Sequence, residues 1–144
     1  MDTTDWSTAQ LAVLYVVALV VLGALDGVWL GWLAKDFYRS EMGALMADSP
    51  RLVPAAIFYL AYPIGLVYFA LMPLSPNDAS VGHAFLRCAA LGLMAYATYD
   101  LTNLSVIRGF STRLALVDIA WGAFASGLAG AASLAAVKWW VPRG

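Results

Sequence analysis

Charge is what this sequence has least of. Asp, Glu, Lys and Arg make up 12% of its 144 residues, against about 25% in an average soluble domain. Hydrophobic residues supply 62%, and the mean hydropathy is +0.77. A water-soluble fold of this composition would expose far too much apolar surface, which excludes a soluble globular domain. Cysteine and histidine are as scarce. Cys88 is alone, so no internal disulfide framework exists. His83 is alone, which excludes a multi-histidine metal or haem centre. The formal net charge of −1 and the lack of a basic patch exclude nucleic acid as a partner. There is no nucleophile elbow, dinucleotide fingerprint or metal-histidine motif, so no cofactor and no catalytic residue is assigned. Nor is there a signal peptide. Asp2 and Asp5 stand where a positive region would be, and the apolar run from Leu11 to Leu33 exceeds the usual core of about 7–15 residues.

What the chain does have is length of apolar sequence. A membrane span needs about 20 mostly apolar residues. The stretches 10–34, 52–74, 84–107 and 114–141 meet this. They predict an all-α integral membrane protein, a single four-helix bundle over residues 1–144. Lys35, Arg39, Arg51, Arg108 and Arg113 fall in the first and third connections. The N-terminal tail and the second connection carry no basic residue, although Arg87 lies just inside the third span and Lys138 and Arg143 close the fourth. By the positive-inside rule both termini then lie on the outer, periplasmic side of a bacterial inner membrane. Trp6, Trp32, Trp139 and Trp140 sit at span ends, as an aromatic belt requires.

Small residues recur every fourth position, at Gly23, Gly27 and Gly31 and again at Ala123, Gly127 and Ala131. Such stripes let helix backbones approach closely. The expectation is tight packing within one bundle, with a homodimer through the glycine faces as the alternative. The connection 35–51 mixes charge with Phe37, Tyr38, Met42, Leu45 and Met46, which predicts a short interfacial helix with its apolar side in the headgroup layer. Pro63 in the second span predicts a kink and a freed carbonyl near Tyr59 and Tyr62.

Three of the apolar runs carry an aspartate: Asp26, Asp100 and Asp118. Each costs about 2.5–3.5 kcal/mol at the centre of a membrane helix on insertion scales. Partners, protonation or a bound cation must offset this; oxygen-only ligands would suit magnesium or manganese. Counted from the nearest basic residues, all three lie about 7–14 Å inside the cytoplasmic boundary, at the level of Tyr59 and slightly shallower than Tyr62. Tyr96, Asp100 and Asn103 share a helix face, with Tyr99 in the same polar block; Asp26 with Trp29 and Asp118 with Trp121 are i, i+3 pairs. These ten residues are the candidate ligand-binding or proton-carrying set. Within it, Asp100 is expected to be rich in hydrogen-bond donors and charged, and Asp26 to be short of donors and protonated.

The motifs Asp26-x-x-Trp29-Leu30, Phe37-Tyr38-Arg39, Pro54-Ala55, Phe58-Tyr59, Tyr96-Ala-Thr-Tyr-Asp-Leu-Thr-Asn103 and Val117-Asp-Ile-Ala-Trp-Gly122 resemble the bacterial family of predicted membrane proteins called DUF2177. The resemblance runs over nearly the whole chain. It implies topology and membership, carries no activity, and hints at a link to lipid modification.

Three functional readings follow. The first is a pocket for a lipid or small amphipathic molecule near the cytoplasmic half of the bilayer, with the acids and tyrosines orienting it. The second is a proton-coupled small-molecule transporter, since intramembrane acids mark proton relays. The third is a non-catalytic subunit of a larger membrane complex.

Overall fold

The computed structural model describes residues 5–141; Asp2 and Arg143, which enter the charge argument above, lie outside them. The described residues contain helices and no strand. Helix α1, Thr8–Val28, runs on into a π-helical turn at Trp29–Leu33. Helix α2 is short, Lys35–Met42, and is followed by a 3₁₀ turn at Gly43–Leu45. Helix α3, Leu52–Gly65, continues as a π-helical segment, Leu66–Leu71. Helices α4, Val81–Val106, and α5, Thr112–Trp140, complete the chain.

The starts are written in the sequence. Ser7 and Gln10 form a reciprocal capping box on α1, Ser80 accepts from His83 N at the head of α4, and Ser111 accepts from Leu114 N at the head of α5. Each satisfies an amide that the first turn would otherwise leave without a partner.

Among the described residues, three helices are long and apolar enough to cross a membrane: Thr8–Leu33, Leu52–Leu71 and Thr112–Trp140. Helix α4 is 26 residues long but falls short on composition, because Arg87 and the Tyr96 to Asn103 block lower its hydropathy. The outer faces carry large exposed apolar residues such as Val20, Ile57, Phe69, Leu86 and Leu116. Exposed apolar surface on this scale fits a lipid environment. Trp32, Trp139 and Trp140 are exposed near helix ends.

The tightest packing joins α4 to α5, mainly through a small-residue stripe next to the one read from the sequence. Ala84, Cys88 and Gly92 of α4 face Gly122, Ser126 and Gly130 of α5. A Cβ added at Gly92 would strike Ser126 and the Gly122 carbonyl. At Gly122 it would overlap the Tyr96 ring, and at Gly130 it would meet Cys88. Gly127 of the expected stripe also belongs to this seam, since a Cβ there would strike the ring of Phe85 of α4.

The first stripe needs a larger correction. Gly23, Gly27 and Gly31 are exposed, and nothing lies within 4 Å of a Cβ built on any of them. Helix α1 packs instead through Gln10, Leu14, Ala18, Leu22 and Asp26. Large residues at a four-residue spacing won this face because it meets side chains of α5 and of the Leu66–Leu71 segment rather than a bare backbone.

Two ends can be told apart. At one, Trp6 Nε1 donates to the Leu74 carbonyl at 2.9 Å, and Gln10 Nε2 to the Val141 carbonyl at 3.4 Å. Close to it, Arg87 Nε donates to the Ala70 carbonyl at 2.7 Å at the frayed end of the π-helical segment. The guanidinium is thereby spent on orphaned carbonyls, which explains how an arginine sits inside an apolar helix. At the other end α2 lies across the head of α5: Glu41 accepts from the Ser111 hydroxyl and pairs with Arg113 at 3.5 Å.

Candidate functional site

Asp26 occupies the last position of the buried stripe of α1 and is 6% exposed. Its two oxygens have separate donors. Tyr59 Oη of α3 donates to Oδ2 at 2.7 Å, and Trp121 Nε1 of α5 donates to Oδ1 at 2.7 Å. One carboxyl thus ties three helices together. Trp121 stacks on Trp29 with ring centroids 4.4 Å apart and planes 6° from parallel. Trp29 Nε1 in turn donates to Tyr38 Oη at 3.2 Å, and Tyr38 Oη donates to Asp118 Oδ1 at 2.7 Å. Burial pushes the Tyr38 phenol above its ordinary value, so it remains a donor to the aspartate.

Asp100 differs. It is 1% exposed, and its Oδ2 is buried with no hydrogen-bond partner. Asp118 lies beside it, within reach of a carboxyl–carboxyl hydrogen bond. Two ionised carboxylates at that range repel, so a shared proton or a cation is what lets both stay. A buried polar atom without a partner costs about 1–3 kcal/mol, more when charged.

The three acids line one cavity of about 520 Å³, within the range of small-molecule sites, about 300–1,000 Å³. Tyr59, Tyr62, Tyr96, Tyr99 and Trp121 form much of its wall. Of the ten residues singled out in the sequence, Asn103 and Trp29 do not line it; Trp29 reaches it only through its stack and its bond to Tyr38. Tyr62 Oη is engaged with Ser126 Oγ at 2.7 Å. The rest of the wall is apolar or aromatic, including Leu30, Met42, Met46, Phe58, Phe110 and Leu114.

The cavity exists because α3 stands away from its neighbours. Helix α4 packs on the Leu66–Leu71 segment, but no Cα of α4 or α5 comes within 8 Å of a Cα of α3 itself. Pro63 and the π-helical segment fall where the contact with α4 is lost. Pro63 cannot donate to the Tyr59 carbonyl, and the next carbonyl, Leu60, accepts from Tyr15 Oη of α1 at 2.9 Å. Tyr15 thus ties α1 to the backbone of α3 one residue past the carbonyl that Pro63 frees. Helix α3 leans on α1 and leaves a gap toward α4, crossed at the level of the acids by long tyrosine side chains.

Two expectations about the acids are overturned. Asp26, expected to lack donors, has one on each oxygen; Asp100, expected to be rich in them, has a buried oxygen with none. The donors come from other helices, which neighbours along one helix cannot reveal. The three carboxyls also do not converge: among the described residues no group of three His, Cys, Asp or Glu is placed to hold a metal ion. Asp26 is occupied by Tyr59 and Trp121, apart from the Asp100–Asp118 pair.

Tyr38 is the residue that sequence reasoning placed wrongly. It is 8% exposed and packs with Ala34 and Leu114, so it points into the protein rather than into the headgroup layer. Its place in the Phe37-Tyr38-Arg39 motif was the available signal. With Met42, and with Met46 just past the 3₁₀ turn, it makes α2 and the segment after it the cover of the cavity at the basic end.

The model of a family described as predicted membrane proteins, DUF2177, matches residues 11–135. The chain belongs to the DUF2177 family. No curated protein and no solved structure matches it. The matched DUF2177 region contains every side chain of the site, from Asp26 to Trp121 and Ser126.

Proposed function

We propose that this DUF2177 protein is a four-span protein of the bacterial inner membrane whose cavity binds a lipid-like amphipathic molecule, taken sideways from the cytoplasmic leaflet. Helix α4 is the fourth span. Its 26 residues reach about 39 Å at about 1.5 Å per residue, enough for a hydrocarbon layer of about 30 Å. Its charged residues do not face lipid: Arg87 is spent on carbonyls and Asp100 is buried. Lys35, Arg39, Arg51, Arg108 and Arg113 gather at the α2 end, which the positive-inside rule makes cytoplasmic, with both termini outside.

The observation that carries the reading is Asp100 Oδ2, buried, without a partner and in the wall of a cavity that lies in the gap between α3 and α4. Such an oxygen suits a ligand's hydrogen-bond donor, and the apolar remainder of the wall suits an alkyl chain. The lining holds acids and phenols but no serine, cysteine or histidine, so the proposal is binding without a named reaction.

Native mass spectrometry of the protein released from membranes tests it. Wild type should carry an amphipathic adduct that Asp100→Asn loses while staying folded. Equal adducts on both, or none on either, would refute the reading.

A second reading, proton-coupled transport of the same ligand, is favoured by the Asp100–Asp118 contact, since a pair that needs one shared proton can exchange it for a ligand. Ligand-driven proton flux in liposomes, absent in Asp100→Asn, is its expected signature; ligand binding with no flux would exclude it.

A further inference from the structure

We propose that the cavity selects amphipathic molecules with a cationic head, an amine or a quaternary ammonium, over uncharged and anionic ones. This deepens the binding reading above and rests on it.

The lining includes three carboxyls and no lysine, arginine or histidine among the described residues. An anionic head would therefore meet acids and find no counter-charge, in a medium where an unpaired charge is costly. The wall is otherwise dominated by rings. Tyr62 stacks on Phe58 at 5.1 Å between centroids and meets Tyr96 edge-on at 6.3 Å. Several phenol hydroxyls are already committed, Tyr59 to Asp26, Tyr38 to Asp118 and Tyr62 to Ser126. What these side chains still offer a ligand is their ring surface, and an aromatic face attracts a cation.

The acid pair points the same way. Asp100 Oδ2 has no partner, and Asp118 sits beside it. A hydroxyl could donate to that oxygen but would bring no counter-charge to the acid pair. A cationic head supplies the single positive charge that balances a pair sharing one proton, and where it carries an N–H it also donates to the orphaned oxygen. Leu30, Met42, Met46 and Leu114 supply apolar wall for a chain, and methionine adapts to chains of differing shape.

The experiment compares three probes with the same alkyl chain: dodecylammonium, monolauroylglycerol and dodecanoate. Binding is read by tryptophan fluorescence of the full chain in phosphatidylcholine nanodiscs, with empty nanodiscs subtracted. Wild type should bind the ammonium at least roughly tenfold more tightly than the other two, as cation–ring contacts and ion pairing together require. Asp100→Asn should lose about tenfold in that affinity, since it removes a charged partner. Tyr99→Leu, at a position already 58% exposed, removes a ring without disturbing the interior and should weaken the ammonium alone. If the glycerol ester or the carboxylate binds as tightly and still depends on Asp100, the pocket stands and the cationic preference is overturned. If no probe distinguishes wild type from either variant, the binding reading falls with it.

Discussion

Replacing Gly122 by alanine should destabilise the protein, whereas the same change at Gly27 should not. Both glycines lie in long helices, so both variants gain the same intrinsic helix preference, about 1 kcal/mol for alanine over glycine. What separates them is space. The Cβ at position 122 would overlap three atoms of the Tyr96 ring, and the one at position 27 meets nothing within 4 Å. Overpacking of this kind costs about 1–3 kcal/mol. Tyr96 also packs edge-on against Tyr62, so a displaced ring would lose that contact as well. The Gly27→Ala variant should therefore be more stable than Gly122→Ala by about 1–3 kcal/mol, the propensity gain cancelling between them. Thermal melting of both in the same detergent, followed by size-exclusion chromatography, reads the difference. Tyr96 also lines the cavity, so Gly122→Ala should weaken any bound ligand. Equal melting of the two variants would refute the seam between α4 and α5 and the open glycine face of α1 together.

Other perturbations follow from single contacts. Tyr59→Phe removes the donor to Asp26 Oδ2 and should lower stability by about 1–3 kcal/mol, the cost of leaving a buried acceptor unsatisfied; an unchanged melting temperature would mean that water or another donor takes its place. Arg113→Ala removes an ion pair whose arginine side chain is 79% exposed, so the loss should stay below about 1 kcal/mol. Glu41→Ala also removes the acceptor of the Ser111 hydroxyl and should loosen α2, seen as faster protease cleavage within residues 35–51. Cysteine labelling tests the orientation: Cys88 is buried, so Asp78→Cys should react with an impermeant reagent from outside intact cells and Arg108→Cys should not, and the reverse pattern would move the cavity to the outer leaflet.

That the three acids would come to one level was read from their matching distances to the basic ends of the helices. Asp26, Asp100 and Asp118 do line one cavity. Their partners were not legible. Donors to Asp26 come from α3 and α5, and Tyr38 reaches Asp118 from α2, contacts that depend on how helices rotate against one another. The same rotation hid most of the small residues of the seam: Gly122, Ser126 and Gly130 carry it together with Gly127, the one glycine of the stripe that the spacing marked in this helix. A spacing of four marks a stripe but not which way it faces. Helix α4 reads as a span from its length, yet its polar block, the feature that makes it functionally interesting, lowers the hydropathy that identifies a span.

The central claim, that an amphipathic molecule occupies the cavity between α3 and α4, is tested most directly by photo-crosslinking. A long-chain probe with its photoactivatable group beside the head, prepared as both the amine and the alcohol, is irradiated with the protein in native membranes, and the adducts are mapped by peptide mass spectrometry. Adducts should concentrate at Met42, Met46, Tyr96 and Tyr99 and fall away in Asp100→Asn. Adducts confined to lipid-facing residues such as Ile57, Leu86 and Leu116, unchanged by that substitution, would contradict it.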